Sequence, residues 1–241
     1  ANKQRVTFIM SLDFDSARSP NSMLTAEHHE WRAQLRRFFD HEVIPYADDW
    51  DEEGAIPDEL WPKAAEIGLL GLGFPEEFGG TSEGIDVWHS IIANEEMARV
   101  AVGGVAATLM VHGIGLPPVI NFGHDAIKQM VAPPVLAGTK RISLGITEPG
   151  GGSDVAQLQT TARLDGDHYV VNGSKTYITG GMNANWITTA VRTGGEGAGG
   201  VSALLIPADA DGFSRTSLDK KQGWWCSDTA TIYFDNVRVP V

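Results

Sequence analysis

One cysteine, Cys226, stands in 241 residues, so no disulfide closes within the chain, and that usage suits a reducing compartment. Basic residues are scarce. Lys and Arg number 18 against 31 Asp and Glu, a net charge of −13 that opposes nucleic acid and anionic membrane surfaces. Long apolar runs are missing too: Val6–Met10 is too short for the core of a signal peptide. The longest segment without Asp, Glu, Lys or Arg, 100–124, is interrupted by Gly103, Gly104, Gly113, Gly115, Pro117 and Pro118. It predicts a buried helix pair and no membrane span. There is no Gly-Lys-Ser/Thr phosphate loop and no Gly-x-Ser-x-Gly elbow. His28 and His29 are adjacent and the other five histidines scattered, which offers no metal-ligand spacing. What is present is 42% hydrophobic and 20% charged, an ordinary globular composition with enough length for a substantial core.

The chain divides near Gly138. Residues 1–139 hold 21 acids and 9 bases, residues 140–241 hold 10 and 9, so the acidity belongs to the first part. So does the helical periodicity. Trp31, Leu35, Phe38 and Phe39 form one stripe behind Thr25 as cap, ending at Pro45. Further helices are predicted over 58–67, stopped by Gly68, from Asp86 through Met97, and over 125–137. The second part reads as strands. Asp165-Gly166 and Asn172-Gly173 each predict a tight hairpin. Segments 186–192, 201–206 and 229–239 are strand candidates, with a glycine loop over 194–200. Short strands joined by turns predict a sandwich or barrel.

Two segments carry chemistry. In Leu144-Gly145-Ile146-Thr147-Glu148-Pro149-Gly150-Gly151-Gly152-Ser153-Asp154-Val155, a strand runs into three glycines and a serine, a cradle whose amides and hydroxyl suit a phosphate. Taken alone, that pattern is more often just a glycine-rich turn. In Asn172-Gly173-Ser174-Lys175-Thr176-Tyr177-Ile178-Thr179, alternation puts Tyr177 and Thr179 on one face, an aromatic beside a hydroxyl able to support a flat ring.

These segments, with Gly73-Phe74-Pro75-Glu76-Glu77-Phe78-Gly79-Gly80, Cys226-Ser227-Asp228-Thr229 and Phe234-Asp235-Asn236-Val237-Arg238-Val239-Pro240, stand in one order and spacing from about residue 25 onward. In this the chain resembles the acyl-CoA dehydrogenase family of flavoproteins. The resemblance implies an α+β multidomain fold: an N-terminal extension (1–24), an all-α domain (25–139) and a β-sandwich or barrel middle domain (140–241), the family's C-terminal helical bundle lying outside this chain. It implies FAD. Leu144, Ile146 and Thr147 match positions lining the flavin ring, Thr147 bonding its polar edge. Gly152 and Ser153 match the turn against the cofactor phosphates and the acyl thioester. Tyr177 takes the place of a common tryptophan packed on the flavin, Ile178 follows it, and Thr179 matches the group bonded near N5. Gly180 replaces a common asparagine and Gly151 a common alanine. By the same alignment Met110, Val111 and Ile114 line the acyl pocket.

The implied reaction is α,β-desaturation of an acyl-CoA thioester in fatty acid metabolism, a carboxylate taking the α-proton while hydride passes to flavin N5. The family's base lies in the C-terminal bundle, beyond Val241. Glu148 reads as structural beside Pro149, Glu95 and Glu96 as solvent-facing, His112 as a core histidine, and Cys226 as unreactive without a neighbouring base. Trp224-Trp225 suit an interface, a cofactor edge or packing under the sheet. Electron-transferring flavoprotein is the implied acceptor, a homodimer or homotetramer the implied assembly, and the cytoplasm, or the mitochondrial matrix in a eukaryote, the implied location. An acyl-CoA oxidase, a flavin monooxygenase and a non-catalytic partner subunit are the alternative readings.

Overall fold

The computed structural model describes Asp15 and residues 20–241, so most of the N-terminal extension lies outside the described residues. Thr25 opens α1 (Ala26–Phe38) with a capping box: its hydroxyl accepts the His28 amide, and its own N–H donates to His28 Nδ1 at 3.0 Å. A single wide turn over Phe39–Val43 carries the helix to the break before Pro45. Then come α2 (Ala47–Glu53), α3 (Leu60–Glu66) and α4 (Val87–Ala98), whose cap is Asp86. Gly68, at φ +82°, ends the third helix in the left-handed conformation that glycine tolerates. Helix α2 escaped the sequence reading because its acidic run has no apolar period.

The uncharged segment forms three short helices rather than a pair: α5 (Gly103–Leu109), α6 (His112–Gly115) and α7 (Pro117–Phe122). Val105, Leu109, Leu116 and Val119 are all buried. No single helix among the described residues is long and apolar enough to cross a membrane. The helical layer ends with α8 (Asp125–Leu136), and its largest core joins α1 to α5 through Leu35, Ala47, Leu60, Ile92 and Leu109, with Phe39, Leu69 and Leu70 from the turns between them. Glu96 does not face solvent. It is fully buried and held by Arg32 at 3.0 Å and Arg36 at 2.9 Å, because a buried carboxylate persists only when charged donors replace its water.

The strands are β1 (Ile142–Gly145), β2 (Thr161–Asp165), β3 (His168–Thr179), β4 (Trp186–Arg192), β5 (Val201–Pro207), β6 (Phe213–Ser217) and β7 (Thr229–Pro240). They form one curled mixed sheet in the order β1-β4-β2-β3-β7-β6, with β5 antiparallel along the other edge of β4. Strand β1 lies parallel beside the first residues of β4 and β2 beside its last, so the connection between them leaves the sheet as a loop. That loop holds the glycine cradle. The predicted hairpin joins β2 to β3, but its two turn residues are Gly166-Asp167, one position beyond Asp165-Gly166, because Asp165 still pairs with His168. Asn172-Gly173 makes no hairpin. The strand runs straight through it with a register shift against β7, and Gly173, at φ +142°, lies so close to Thr160 that a Cβ would sit 2.7 Å from its hydroxyl. The Asn172 side chain instead accepts the N–H of Asn236, itself at φ +54° in the opposing strand.

Helices and sheet are bound to each other. Thr188 Oγ1 donates to the Gly115 carbonyl at 2.7 Å, Arg141 pairs with Asp58 and lies 3.7 Å over the Trp61 ring, and the Cys226 amide donates to Asp51 at 3.0 Å.

Candidate functional site

Where β1 ends, Ile146 and Thr147 lead into a tight turn closed by two backbone bonds between Glu148 and Gly151, of 3.0 and 3.1 Å. The Glu148 side chain points inward, where it accepts Lys175 Nζ at 2.8 Å, the Gln159 amide at 2.6 Å and the Thr160 amide at 2.8 Å. Burial alone raises a carboxyl pKa. Here Lys175 and the donors of Thr160 and Gln159 outweigh it and hold Glu148 down at about 2. Gly150 and Gly151 in the turn and Ser153 just past it are exposed. Gly152 packs on Thr147: a Cβ there would lie 3.1 Å from the Thr147 methyl.

The second segment adjoins the first. The Thr176 amide donates to the Thr147 carbonyl at 2.8 Å, so the chain entering the glycine turn lies beside the chain entering the Tyr177–Thr179 edge. A second register shift in β3, between Lys175 and Ile178, sets Tyr177 at φ +59°, the residue 69% exposed. A bulky residue in that conformation is strained, and such outliers concentrate at ligand sites. Ile178 turns inward, 2% exposed in the sheet core, and Thr179 is half-buried. Asp228 fixes the end of the strand: its carbonyl accepts the Gly180 amide at 2.9 Å and its carboxylate the Met182 amide at 2.7 Å. An exposed ring on a strained bulge, beside a bare glycine cradle and a hydroxyl, fits a planar cofactor that carries phosphates.

A model of the acyl-CoA dehydrogenase N-terminal domain matches residues 25–139 and one of the middle domain matches residues 143–237. The chain belongs to the acyl-CoA dehydrogenase family. It is 36% identical over 222 residues to the probable acyl-CoA dehydrogenase YngJ of Bacillus subtilis, covering 91% of this chain and 58% of that protein. Among solved structures, a probable acyl-CoA dehydrogenase of Mycobacterium abscessus superimposes with a TM-score of 0.86 at 47% identity, over 91% of this chain and 58% of that one. An acyl-CoA dehydrogenase of Bacillus anthracis complexed with FAD does so with a TM-score of 0.80 at 34% identity, over 90% and 37%. The chain thus spans 58% of the length of the first two of these proteins and 37% of the third.

Of the three residues aligned with the family's acyl pocket, Met110 borders a cavity of about 460 Å³ between Leu69–Pro75, α4 and the α6–α7 region. Val111 is buried against Gly180, and Ile114 is 55% exposed, so these chain residues do not enclose one pocket by themselves. His112 lines the same cavity, its Nε2–H donating to the Leu70 carbonyl at 2.9 Å, and burial pushes its pKa down. It is a satisfied core histidine.

Contrary to the scattered histidine pattern, His28, Asp86 and His89 place three ligand atoms within 4.8 Å of one another. Their hydrogen bonds assign them another task. Because the Thr25 N–H donates to His28 Nδ1, the ring proton sits on Nε2 and points at Asp86 Oδ1, 3.0 Å away, leaving that nitrogen no lone pair for a metal. The cluster ties the N-termini of α1 and α4 together.

Trp224 and Trp225 are more than half exposed, and Trp224 lies against Gly103, where a Cβ would meet its indole at 2.5 Å. Cys226 is buried against Gly104, and burial pushes its thiol up to about 12. Sequence reasoning missed Lys175 and Asp228 as supports. The available signal for Lys175 was its phase: four residues from Val171, it shares that residue's inward face.

Proposed function

We propose that this chain forms the FAD- and acyl-thioester-binding part of an acyl-CoA dehydrogenase. The observation that carries the reading is the Thr176–Thr147 hydrogen bond, which sets the glycine cradle beside the strained Tyr177 edge. Leu144, Ile146 and Thr147 would border the flavin ring, with Tyr177 against it and Thr179 near its N5 edge. The backbone of Ile178 carries the two between its neighbours while its side chain anchors them in the core. The amides around Gly152 and the Ser153 hydroxyl would meet the phosphates and the thioester. Bound FAD supplies the hydride acceptor for the β-hydrogen. The chain's residues orient the thioester and keep the ring in place.

Glu148 is not the base that removes the α-proton. Its oxygens are committed to Lys175, Gln159 and Thr160, and a carboxylate held near 2 is a weak proton acceptor at neutral pH. Met110, Val111 and Ile114 would contribute one wall of the acyl pocket. The reading carries with it electron-transferring flavoprotein as acceptor, a homodimer or homotetramer, and a cytoplasmic or mitochondrial matrix location.

The test is the flavin spectrum of the full-length gene product under anaerobic conditions. It should purify yellow and be bleached by an acyl-CoA of suitable length. A colourless protein that takes up no FAD refutes the reading, as does a flavin that no acyl-CoA bleaches. Rapid reoxidation by air after bleaching would move the assignment to an acyl-CoA oxidase.

A further inference from the structure

Lys175 is fully buried in a strand, yet its ammonium bonds no water-facing group. It donates to Glu148 Oε1 at 2.8 Å and to the Ile146 carbonyl at 3.0 Å. Glu148 in turn receives the Gln159 and Thr160 amides, so one ion pair joins the exit of β1, the approach to β2 and the middle of β3. Thr147 lies between the two residues that Lys175 holds, and its own carbonyl is taken by Thr176. The backbone on both sides of Thr147 is therefore fixed, and so is the packing of its methyl on Gly152.

Stability alone is a poor reason for such an arrangement, since an apolar pair of similar volume is often as stable as a buried ion pair. What an apolar pair lacks is charge. Lys175 and Glu148 carry opposite charges directly behind the residues read as bordering the flavin. Two-electron reduction of FAD with uptake of one proton leaves the flavin with one more negative charge, which any unbalanced charge nearby will favour or oppose. In a poorly screened interior with an effective dielectric constant of about 20, a unit charge within roughly 12 Å changes the relative affinity for the two redox forms by about tenfold or more.

We propose that Lys175 and Glu148 are a charge-balanced positioning pair that shapes the Ile146–Gly152 cradle and keeps the flavin reduction potential from drifting. The inference rests on the FAD reading above. Neither residue is catalytic, because neither is exposed to a substrate or ring.

The test uses the full-length protein loaded with FAD at pH 8, with its potential measured against a reference dye and its FAD affinity by flavin fluorescence. Lys175→Met leaves Glu148 as an unpaired anion. It should weaken FAD binding by at least about tenfold and lower the potential by about 30 mV, the equivalent of a tenfold change in relative affinity for a two-electron couple. The double variant Lys175→Met/Glu148→Gln removes both charges and should return the potential to the wild-type value. A merely structural clamp would impair binding in both variants without the potential following net charge. Lys175→Gln, which keeps a donor toward Ile146 but no charge, should show the same lowering and serves if Lys175→Met does not fold. A single variant with wild-type potential overturns the proposal, as does a double variant displaced as far as the single one. Wild-type protein that takes up no FAD overturns the cofactor reading and this pair with it. Wild-type protein that binds FAD and is bleached, with variants whose potentials do not move, overturns the pair alone.

Discussion

Replacing Tyr177 by glycine separates backbone strain from cofactor contact in one position. In the chain without FAD, tyrosine at φ +59° costs about 1–2 kcal/mol relative to a residue without Cβ. Glycine returns about 0.5–1 kcal/mol of that through the greater freedom of the unfolded chain. Because Tyr177 is 69% exposed, little burial is lost. The sum is a stabilisation of about 0.5–1 kcal/mol, which for a chain of this size raises the melting temperature by about 1–4 °C. With FAD the sign reverses. An aromatic contact contributes about 0.5–1.5 kcal/mol beyond its area, so Tyr177→Gly should weaken FAD binding roughly threefold to tenfold. Tyr177→Phe keeps the ring and should bind FAD within about twofold of wild type, since about 0.4 kcal/mol is a factor of two and the hydroxyl has no partner to lose among the described residues. Urea unfolding without cofactor and flavin fluorescence titration measure the two effects independently. If glycine lowers the urea midpoint of the cofactor-free protein, the bulge is not strained. If it leaves FAD affinity unchanged, the ring does not contact the cofactor.

Gly173→Ala should destabilise by about 2–4 kcal/mol in chemical denaturation, combining an unfavourable φ with overpacking against Thr160. Cys226 should resist a thiol reagent at pH 8 in the native protein and react fully once unfolded, its thiol being buried and pushed up to about 12. Glu148 contributes to acid resistance: its carboxyl is depressed from 4.5 to about 2 in the folded state, so its stabilisation is complete above pH 4.5 and disappears as the pH falls through 2. Glu148→Gln should therefore be less stable than wild type at neutral pH by a margin that shrinks between pH 4.5 and 2; a constant margin across that window would contradict the depressed pKa.

Local pattern was a sound guide wherever a residue's role is set by its neighbours in sequence. Thr25 and Asp86 cap their helices, and Gly166 turns a hairpin, for reasons that a few adjacent residues contain. The errors came where a distant segment decided. Asn172-Gly173 has hairpin chemistry, but the opposing Asn236 and the nearby Thr160 make it a bulge in a continuous strand. Glu96 reads as solvent-facing on an amphipathic helix, and only the arginines of α1 show that it is buried. β6 escaped notice because Phe213 is its single large apolar residue among Ser, Arg and Thr. At the candidate site, the glycines and the Tyr177-Thr179 pair were legible as a motif. The ion pair behind them was not, because Lys175 and Glu148 lie 27 residues apart and meet only after the sheet has formed.

The loop from Leu218 to Asp228 has a mechanical consequence. Its middle is seated on helices, with Cys226 on Asp51 and Trp224 on Gly103, while its last residue grips the Gly180–Met182 turn. It acts as a rigid link between the two layers, so a rotation of the helices relative to the sheet would be transmitted to the end of the strand that carries Thr179. Cleaving the chain between helices and strands would leave Cys226 without the apolar surroundings that now enclose it. The switch from helical to extended sequence near Gly138 is thus a change of secondary structure without being a seam at which the molecule can come apart.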